Sequence, residues 1–408
     1  MAEPYRVRSR GSQDESGLVD RVPAPTHSYC STLNQFRKQA VPDSHSNRPP
    51  TFDAKLSRDY KAFQEFIRCS YVNVNSKVAQ ETYRSYFKAR DLDGEPETRE
   101  TAARIMDRLP QFQLKAWSVR NLRRLKYSQP DVGIDTMVQE QSSTLDEELN
   151  ALIADAGDEL VLNPDIEMPD YFHWVDFHQQ PGGVWRDDVD GLIYDYGRRT
   201  TNPNQLDPNK VYHLMWDHLP KDRDYKRVLD WGTGHGGGIV AWMQDHPESE
   251  GYGVDIAAPC VKLAHVRARE AGVPVKFSQQ DIMTMDYEDN FFDMVFHMFM
   301  FHEFPQQVTP DLLKEVWRVL KPGGVFIGME IALVPDQPAQ HVMQFSDAWL
   351  NNEPYMPACV EADYAAMGTS VGFSKSIAIK ATKNSEAIGP TAKDTPPKIT
   401  WNYYVMEK

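Results

Sequence analysis

The stretch Arg227-Val-Leu-Asp-Trp-Gly-Thr-Gly-His-Gly-Gly-Gly238 constrains this chain more than any other. Val228 and Leu229 followed by Asp230 read as a buried parallel strand ending in an acid. Five glycines then fall within seven positions, from Gly232 to Gly238. Such a run allows a tight turn and close approach of backbone to a ligand. Ile239 to Met243 opens a helix whose first N–H groups face whatever lies over the turn. Strand, glycine turn and helix make the opening unit of a nucleotide-type binding fold. The G-x-G-x-x-G pattern of Gly232, Gly234 and Gly237 is shared by several cofactor classes, so the rest of the chain must choose among them.

Downstream the alternation is regular. Gly251–Asp255, Pro274–Phe277, Phe292–His297 and Val325–Glu330 read as strands. Pro259–Ala271 and Pro310–Leu320 read as the helices between them. Strands spaced by helices predict a parallel, helix-covered sheet. Ser374–Ala381 and Ile399–Val405 add two terminal strands around a polar loop at 382–398. Leu206–Leu219 reads as a helix beside the first strand.

Upstream, residues 1–50 are rich in Ser, Pro, Arg and Gln and read as disordered. A helical accessory region covers 51–170, with apolar repeats at Tyr60, Phe63, Phe66 and Ile67 and at Tyr83, Tyr86 and Phe87. Its fourth helix carries Lys115, Arg120, Arg123, Arg124 and Lys126, which read as a solvated face. A short amphipathic helix spans Leu145 to Ile153. The catalytic part is expected at 171–408, with its core at 205–408.

With 408 residues and a net charge of −15, broad binding to nucleic acid or anionic membrane is not expected. The sequence has no apolar run long enough to span a bilayer and no secretory h-region at its start. Cys30, Cys69, Cys260 and Cys359 form no C-x-x-C pair, which favours a reducing, cytoplasmic setting.

Asp255 ends the second strand and can accept hydrogen bonds from both hydroxyls of a ribose; a helix N-cap is its bland alternative. Asp281, in Gln-Gln-Asp-Ile-Met, can accept from the exocyclic amine of adenine while Ile282 lies on the ring. With Val-Leu-Asp-Trp-Gly-Thr-Gly-His-Gly, Phe-Phe-Asp293-Met-Val and Leu-Lys-Pro-Gly-Gly-Val, these residues resemble a class I S-adenosylmethionine-dependent methyltransferase. Residues from about 205 to 408 carry the likeness, and it is nearest the ubiquinone/menaquinone-type small-molecule branch. Trp231 and His235 stand where that family more often has small or aliphatic residues.

The resemblance implies an α/β, Rossmann-like, seven-stranded and mostly parallel sheet whose last strand, Trp401–Val405, runs antiparallel. It implies S-adenosyl-L-methionine as cofactor. Asp230, Gly232, Thr233, Gly234 and Gly236 would hold its methionine part, Asp255 with Ile256 its ribose side, and Asp281 with Ile282 its adenine. His297 is expected to line the same pocket.

Met298-Phe-Met-Phe-His-Glu-Phe-Pro305 supplies an apolar wall ending in His302 and Glu303, the candidates for a base and its partner. The cover segments 171–199 and 340–367 contribute Tyr171, His178, Tyr194, Trp349 and Tyr355, which with Met298 form the expected acceptor site. No metal site is expected, since His297, His302 and Glu303 lack a supporting Cys or second His pair. The expected substrate is a small, partly apolar or aromatic metabolite methylated on O, N or C. A homodimer through the helical region is a further expectation. A protein methyltransferase and a catalytically silent cofactor-binding partner remain as alternatives.

Overall fold

The computed structural model describes residues 52–201, 208–334, 336–382 and 400–408. The expected disordered segment 1–50 and nearly all of the polar loop at 382–398 lie outside them. The described residues all fall in one compact unit.

The accessory region is helical, as its apolar spacing requires. Its helices are α1 (Arg58–Asn73), α2 (Ala79–Asp93), α3 (Arg99–Met106), α4 (Pro110–Ser128), α5 (Ile134–Gln139) and α6 (Ser142–Ile153). Ser57 caps α1 by accepting from the Tyr60 N–H, and Pro110 starts α4 where no amide donor is needed. The chain then makes β1 (Leu160–Val161) and two single turns, Asp170–His173 and Phe177–Gln179. Helices α7 (Asp190–Thr201) and α8 (Pro208–Trp216) follow.

The catalytic half runs β2 (Arg227–Trp231), α9 (Gly237–Asp245), β3 (Glu250–Asp255), α10 (Ala258–Ala271), β4 (Val275–Gln279), β5 (Phe292–Met298), α11 (Thr309–Val319) and β6 (Leu320–Ile331). After it come α12 (Pro338–Leu350), α13 (Met356–Glu361), α14 (Tyr364–Val371), β7 (Lys375–Thr382) and β8 (Thr400–Glu407).

The sheet has eight strands in the order β1-β4-β3-β2-β5-β6-β8-β7, not the seven expected. The additional strand is β1, which pairs parallel to β4 through Leu160 with Phe277 and Val161 with Ser278. Two residues are too few to carry a periodic signal, so nothing in the acidic 128–170 segment announced it. The expected reversal does occur: β8 lies antiparallel between β6 and β7. Alternation along each central strand feeds two cores. Val228, Met294, Phe296, Val325 and Ile327 face the side covered by Met215, Trp242 and Met243. Leu229, Trp231, Val295 and Phe326 face Leu312, Val316, Tyr364 and Phe373. Strand order reverses at β2, which puts the cleft at its carboxyl end.

The basic stretch of α4 corrects a sequence expectation. Lys115 and Lys126 are buried, not solvated. Lys115 pairs with Asp347 of α12, Arg120 donates to Asn352, and Arg123 donates to the Tyr71 hydroxyl. Lys115 and Arg120 fasten the helical region to the segment after β6, while Arg123 ties α4 to α1. Lys126 has no carboxylate partner among the described residues; its ammonium meets Gly197 O and Thr201 Oγ1, both at 3.2 Å. Burial, with the nearby Arg123 charge, pushes its pKa well below the ordinary value. The unfolded chain is protonated there up to about pH 10, so folding is penalised at neutral pH. Lys126→Met is therefore expected to stabilise the protein at pH 7 by about 1 kcal/mol or more. In urea unfolding the gain should shrink as pH rises toward 10; a loss of stability at pH 7 would refute this.

Candidate active site

The turn after β2 is held by side chains that the strand ends supply. Asp230 Oδ2 accepts from Thr233 Oγ1 at 2.9 Å and from the Ile239 N–H at 3.1 Å, tying the turn to the start of α9. Burial raises this carboxyl to about 7 against those two hydrogen bonds. Gly236 caps α9 with φ 81°, and a Cβ there would stand 2.8 Å from the Ala264 Cβ. At Gly234 a Cβ would instead make ordinary contact with the Tyr194 ring at 3.6 Å and meet no backbone.

Asp255 closes this side. Its Oδ2 accepts from the Gly234 N–H at 2.9 Å and its Oδ1 from the Ala257 N–H at 3.0 Å. Burial raises its pKa. Asp281 Oδ1 accepts from the Met283 N–H at 2.9 Å. Both carboxylates face one cleft of about 980 Å³, counted out to its open mouth.

Of the residues expected from sequence, Gly232, Gly234, Asp255, Ile256, Asp281, Ile282, Tyr171, His178, Tyr194, Met298 and Glu303 line that cleft. Asp230, Thr233 and Gly236 sit behind the turn and shape it. His297 is buried beneath the floor, its Nε2 meeting the Tyr404 hydroxyl, and burial lowers it to about 3. Tyr355 supports the cover from outside, 6.2 Å from the Tyr171 ring. Trp349 is 76% exposed and contributes nothing to the lining. Trp231 packs away from the cleft against Phe301 and Phe326, which accommodates a bulky residue in the glycine motif.

The cover is aromatic. Phe172 lies 5.7 Å from Phe177, 5.5 Å from Trp185 and 6.0 Å from Phe304, ring centre to ring centre. Phe172, Phe177, Trp185, Cys260, Met300 and Phe304 all line the cleft without having been singled out one by one. The aromatic density of 171–185 was the signal for Phe172, Phe177 and Trp185, and the apolar wall 298–305 for Met300 and Phe304; Cys260 had none.

His302 and Glu303 part company. The single turn Phe301–Glu303 sends His302 inward, where it is 5% exposed, and leaves Glu303 in the lining. Glu330, at the end of β6 and fully buried, accepts from the Phe301 N–H at 2.6 Å and from His302 Nδ1 at 2.8 Å. His302 Nε2 lies 3.4 Å from Glu303 Oε1. That oxygen also takes His178 Nε2 at 2.9 Å, and His178 Nδ1 lies 3.1 Å from Glu353. The result is a chain of alternating acid and imidazole: Glu330, His302, Glu303, His178, Glu353.

Burial alone would lower His178, but Glu303 and Glu353 raise it to about 9. His302 is held well above its ordinary value, its burial overcome first by Glu330. Glu303 is held low, its burial overcome first by His178. These shifts favour the protonated form of both imidazoles and the ionised form of Glu303. His178 and Gln179 adopt left-handed backbone, φ 54° and 60°, which costs about 1 kcal/mol or more each. The ion pairs across the cover offset that strain. Glu330 was missed in the sequence, although a lone acid in the apolar run Val-Phe-Ile-Gly-Met-Glu was a signal.

Among the described residues, no group of three or more His, Cys, Asp or Glu could hold a metal ion. No described helix is long and apolar enough to cross a membrane.

Comparison with known proteins identifies the family. Residues 228–324 match the family described as "Methyltransferase domain". The chain is 31% identical over 173 residues to a demethylmenaquinone methyltransferase of Thermus thermophilus, covering 38% of this chain and 78% of that one. It is 32% identical to a demethylmenaquinone methyltransferase of Deinococcus radiodurans, covering 26% of this chain and 43% of that one. It is 33% identical to a fatty-acid O-methyltransferase of Mycolicibacterium smegmatis, covering 34% of this chain and 53% of that one. The chain thus spans about half the length of the latter two relatives. It belongs to the class I S-adenosylmethionine-dependent methyltransferases. Within them it falls in the quinone-type small-molecule branch, and its cofactor is S-adenosyl-L-methionine.

The residues present fit that cofactor. A glycine-lined opening at Gly234, two lining carboxylates and two lining isoleucines answer a molecule with a ribose, an amine-bearing ring and a charged tail.

Proposed function

We propose that this enzyme transfers a methyl group to O, N or C of a small, partly apolar or aromatic acceptor. The carrying observation is that one cleft is lined on one side by the glycine turn with Asp255 and Asp281, and on the other by Tyr171, Phe172, Phe177 and Phe304. Asp255 accepts from the ribose hydroxyls, Asp281 from the adenine amine, and Ile256 and Ile282 lie on the ring. The backbone from Asp230 to Gly236 faces the methionine end.

S-Adenosylmethionine supplies an already activated methyl group, so the protein's task is to position the acceptor in line and keep water out. The aromatic cover serves both ends. His302 lies outside the lining and Glu330 shifts it toward its charged form, which supports a role in orienting Glu303 over one as a base. The acidic net charge of −15 supports a small-molecule partner over nucleic acid.

A labelled-methyl transfer assay against fractionated extract of the source organism tests this reading, with S-adenosylhomocysteine binding measured by calorimetry. Absence of that binding would refute it. Asp255→Ala is expected to weaken S-adenosylhomocysteine by about 1–3 kcal/mol, the loss of a hydrogen bond to a charged group. Unchanged affinity would remove the ribose assignment.

A further inference from the structure

We propose that Glu303 selects the acceptor: its Oε2 takes a hydrogen bond from an O–H or N–H on or beside the atom to be methylated. Alcohols, phenols and amines are then the substrates, and carboxylates are turned away. The proposal rests on the methyltransferase reading above and narrows it.

The geometry divides the two oxygens of this one carboxylate. Oε1 is used twice, by His178 at 2.9 Å and by His302 at 3.4 Å. Oε2 receives no hydrogen bond from any described residue, and the side chain lines the cleft with 20% of its surface exposed. The clamp comes from both sides of the cleft. His302 is anchored on Glu330 of the sheet, at 2.8 Å. His178 comes from the cover and is steadied by Glu353 at 3.1 Å. A carboxylate fixed so has one free oxygen with a set direction, within a wall of Phe172, Phe177, Met298 and Phe304.

An acceptor that enters this wall strips water from Oε2 and must replace the lost hydrogen bond. An O–H or N–H does so. An ether leaves the oxygen bare, and a carboxylate adds like charge beside it. Flanked by two imidazoliums, Glu303 is stabilised as an anion and so orients the acceptor's proton without taking it up. In the transfer, the acceptor's lone pair, or the ring π pair where the carbon beside the donor group is methylated, forms the bond to the methyl carbon, and the carbon–sulfur bond breaks with its electron pair going to sulfur. The methylated product keeps the displaced proton as a cation beside Glu303 and releases it to water as it leaves by the open mouth.

The test is equilibrium binding to the full chain saturated with S-adenosylhomocysteine, followed by calorimetry. The probes are naphthol, methoxynaphthalene and naphthoate, all substituted at the same ring position. Naphthol is expected to bind roughly tenfold more tightly, or better, than either of the others. In Glu303→Gln, whose amide donates as well as accepts, the preference for naphthol over naphthoate should fall below about threefold. Three results overturn the proposal: naphthoate or methoxynaphthalene binding as well as naphthol, a preference unchanged in Glu303→Gln, or no binding of any of the three to the loaded protein. The wild-type comparison stands even if the variant fails to fold. Failure of S-adenosylhomocysteine to bind would instead overturn the cofactor reading underneath.

Discussion

Gly236→Ala is expected to lower S-adenosylhomocysteine affinity by more than tenfold and to destabilise the fold as well. The residue has φ 81°, where an L side chain costs about 1–2 kcal/mol. Its new Cβ would lie 2.8 Å from the Ala264 Cβ and 3.1 Å from the Ala264 Cα. The second of these is backbone of α10 and cannot rotate aside. Either α10 retreats, carrying the cleft-lining Cys260 with it, or the N-terminus of α9 shifts and loses the 3.1 Å bond from Ile239 N–H to Asp230. Both responses deform the turn that we propose faces the methionine end. Gly234→Ala makes the informative contrast. Gly234 also has a positive φ, 52°, so the substitution is strained, but its Cβ meets only Tyr194 at 3.6 Å and no backbone, so the damage to the fold should be smaller. Calorimetry should show both variants weak for the cofactor product, while thermal melting should show a clear loss in Gly236→Ala. Wild-type affinity in Gly236→Ala would mean that the turn does not hold the cofactor.

Where sequence and structure agree, a periodic or chemical rule was at work. The strands of the catalytic half were readable because buried parallel strands are short apolar runs, here ended by Asp230 and Asp255. The glycines mattered because Gly232, Gly234 and Gly236 all have positive φ. The failures have equally specific causes. Lys115 and Lys126 were read by their charge, yet they share one helical stripe with the buried Phe112, Val119 and Leu122. The spacing 112, 115, 119, 122, 126 follows the apolar periodicity and outranks charge as a guide to which way α4 faces. Which of His302 and Glu303 meets the cleft could not be read at all, because one tight turn at Phe301–Glu303 decides it. His178 was legible only as part of a cover. Its partners Glu303 and Glu353 are 125 and 175 positions away in the chain, and no local pattern joins them.

Glu330→Ala should be among the most damaging substitutions at a position outside the cleft lining. Glu330 is fully buried, and its two oxygens serve the Phe301 N–H at 2.6 Å and His302 Nδ1 at 2.8 Å. Removing one partner of a buried pair leaves the other charge uncompensated, at a cost of about 3–5 kcal/mol. The pH dependence identifies which charge. Because the folded protein raises the His302 pKa, the stability from that shift is fully present below the unfolded value near pH 6.5. It is lost as pH rises through the folded value. The gap between wild type and Glu330→Ala in urea unfolding should therefore be widest near pH 6 and narrow as the solution becomes alkaline. Glu330→Gln keeps an acceptor for one of the two donors and should lose less. If the gap were instead constant with pH, the Phe301 N–H would account for the damage and His302 would owe nothing to Glu330. If it narrows, Glu330 sets the charge on His302, and through His302 the direction in which Glu303 faces the acceptor.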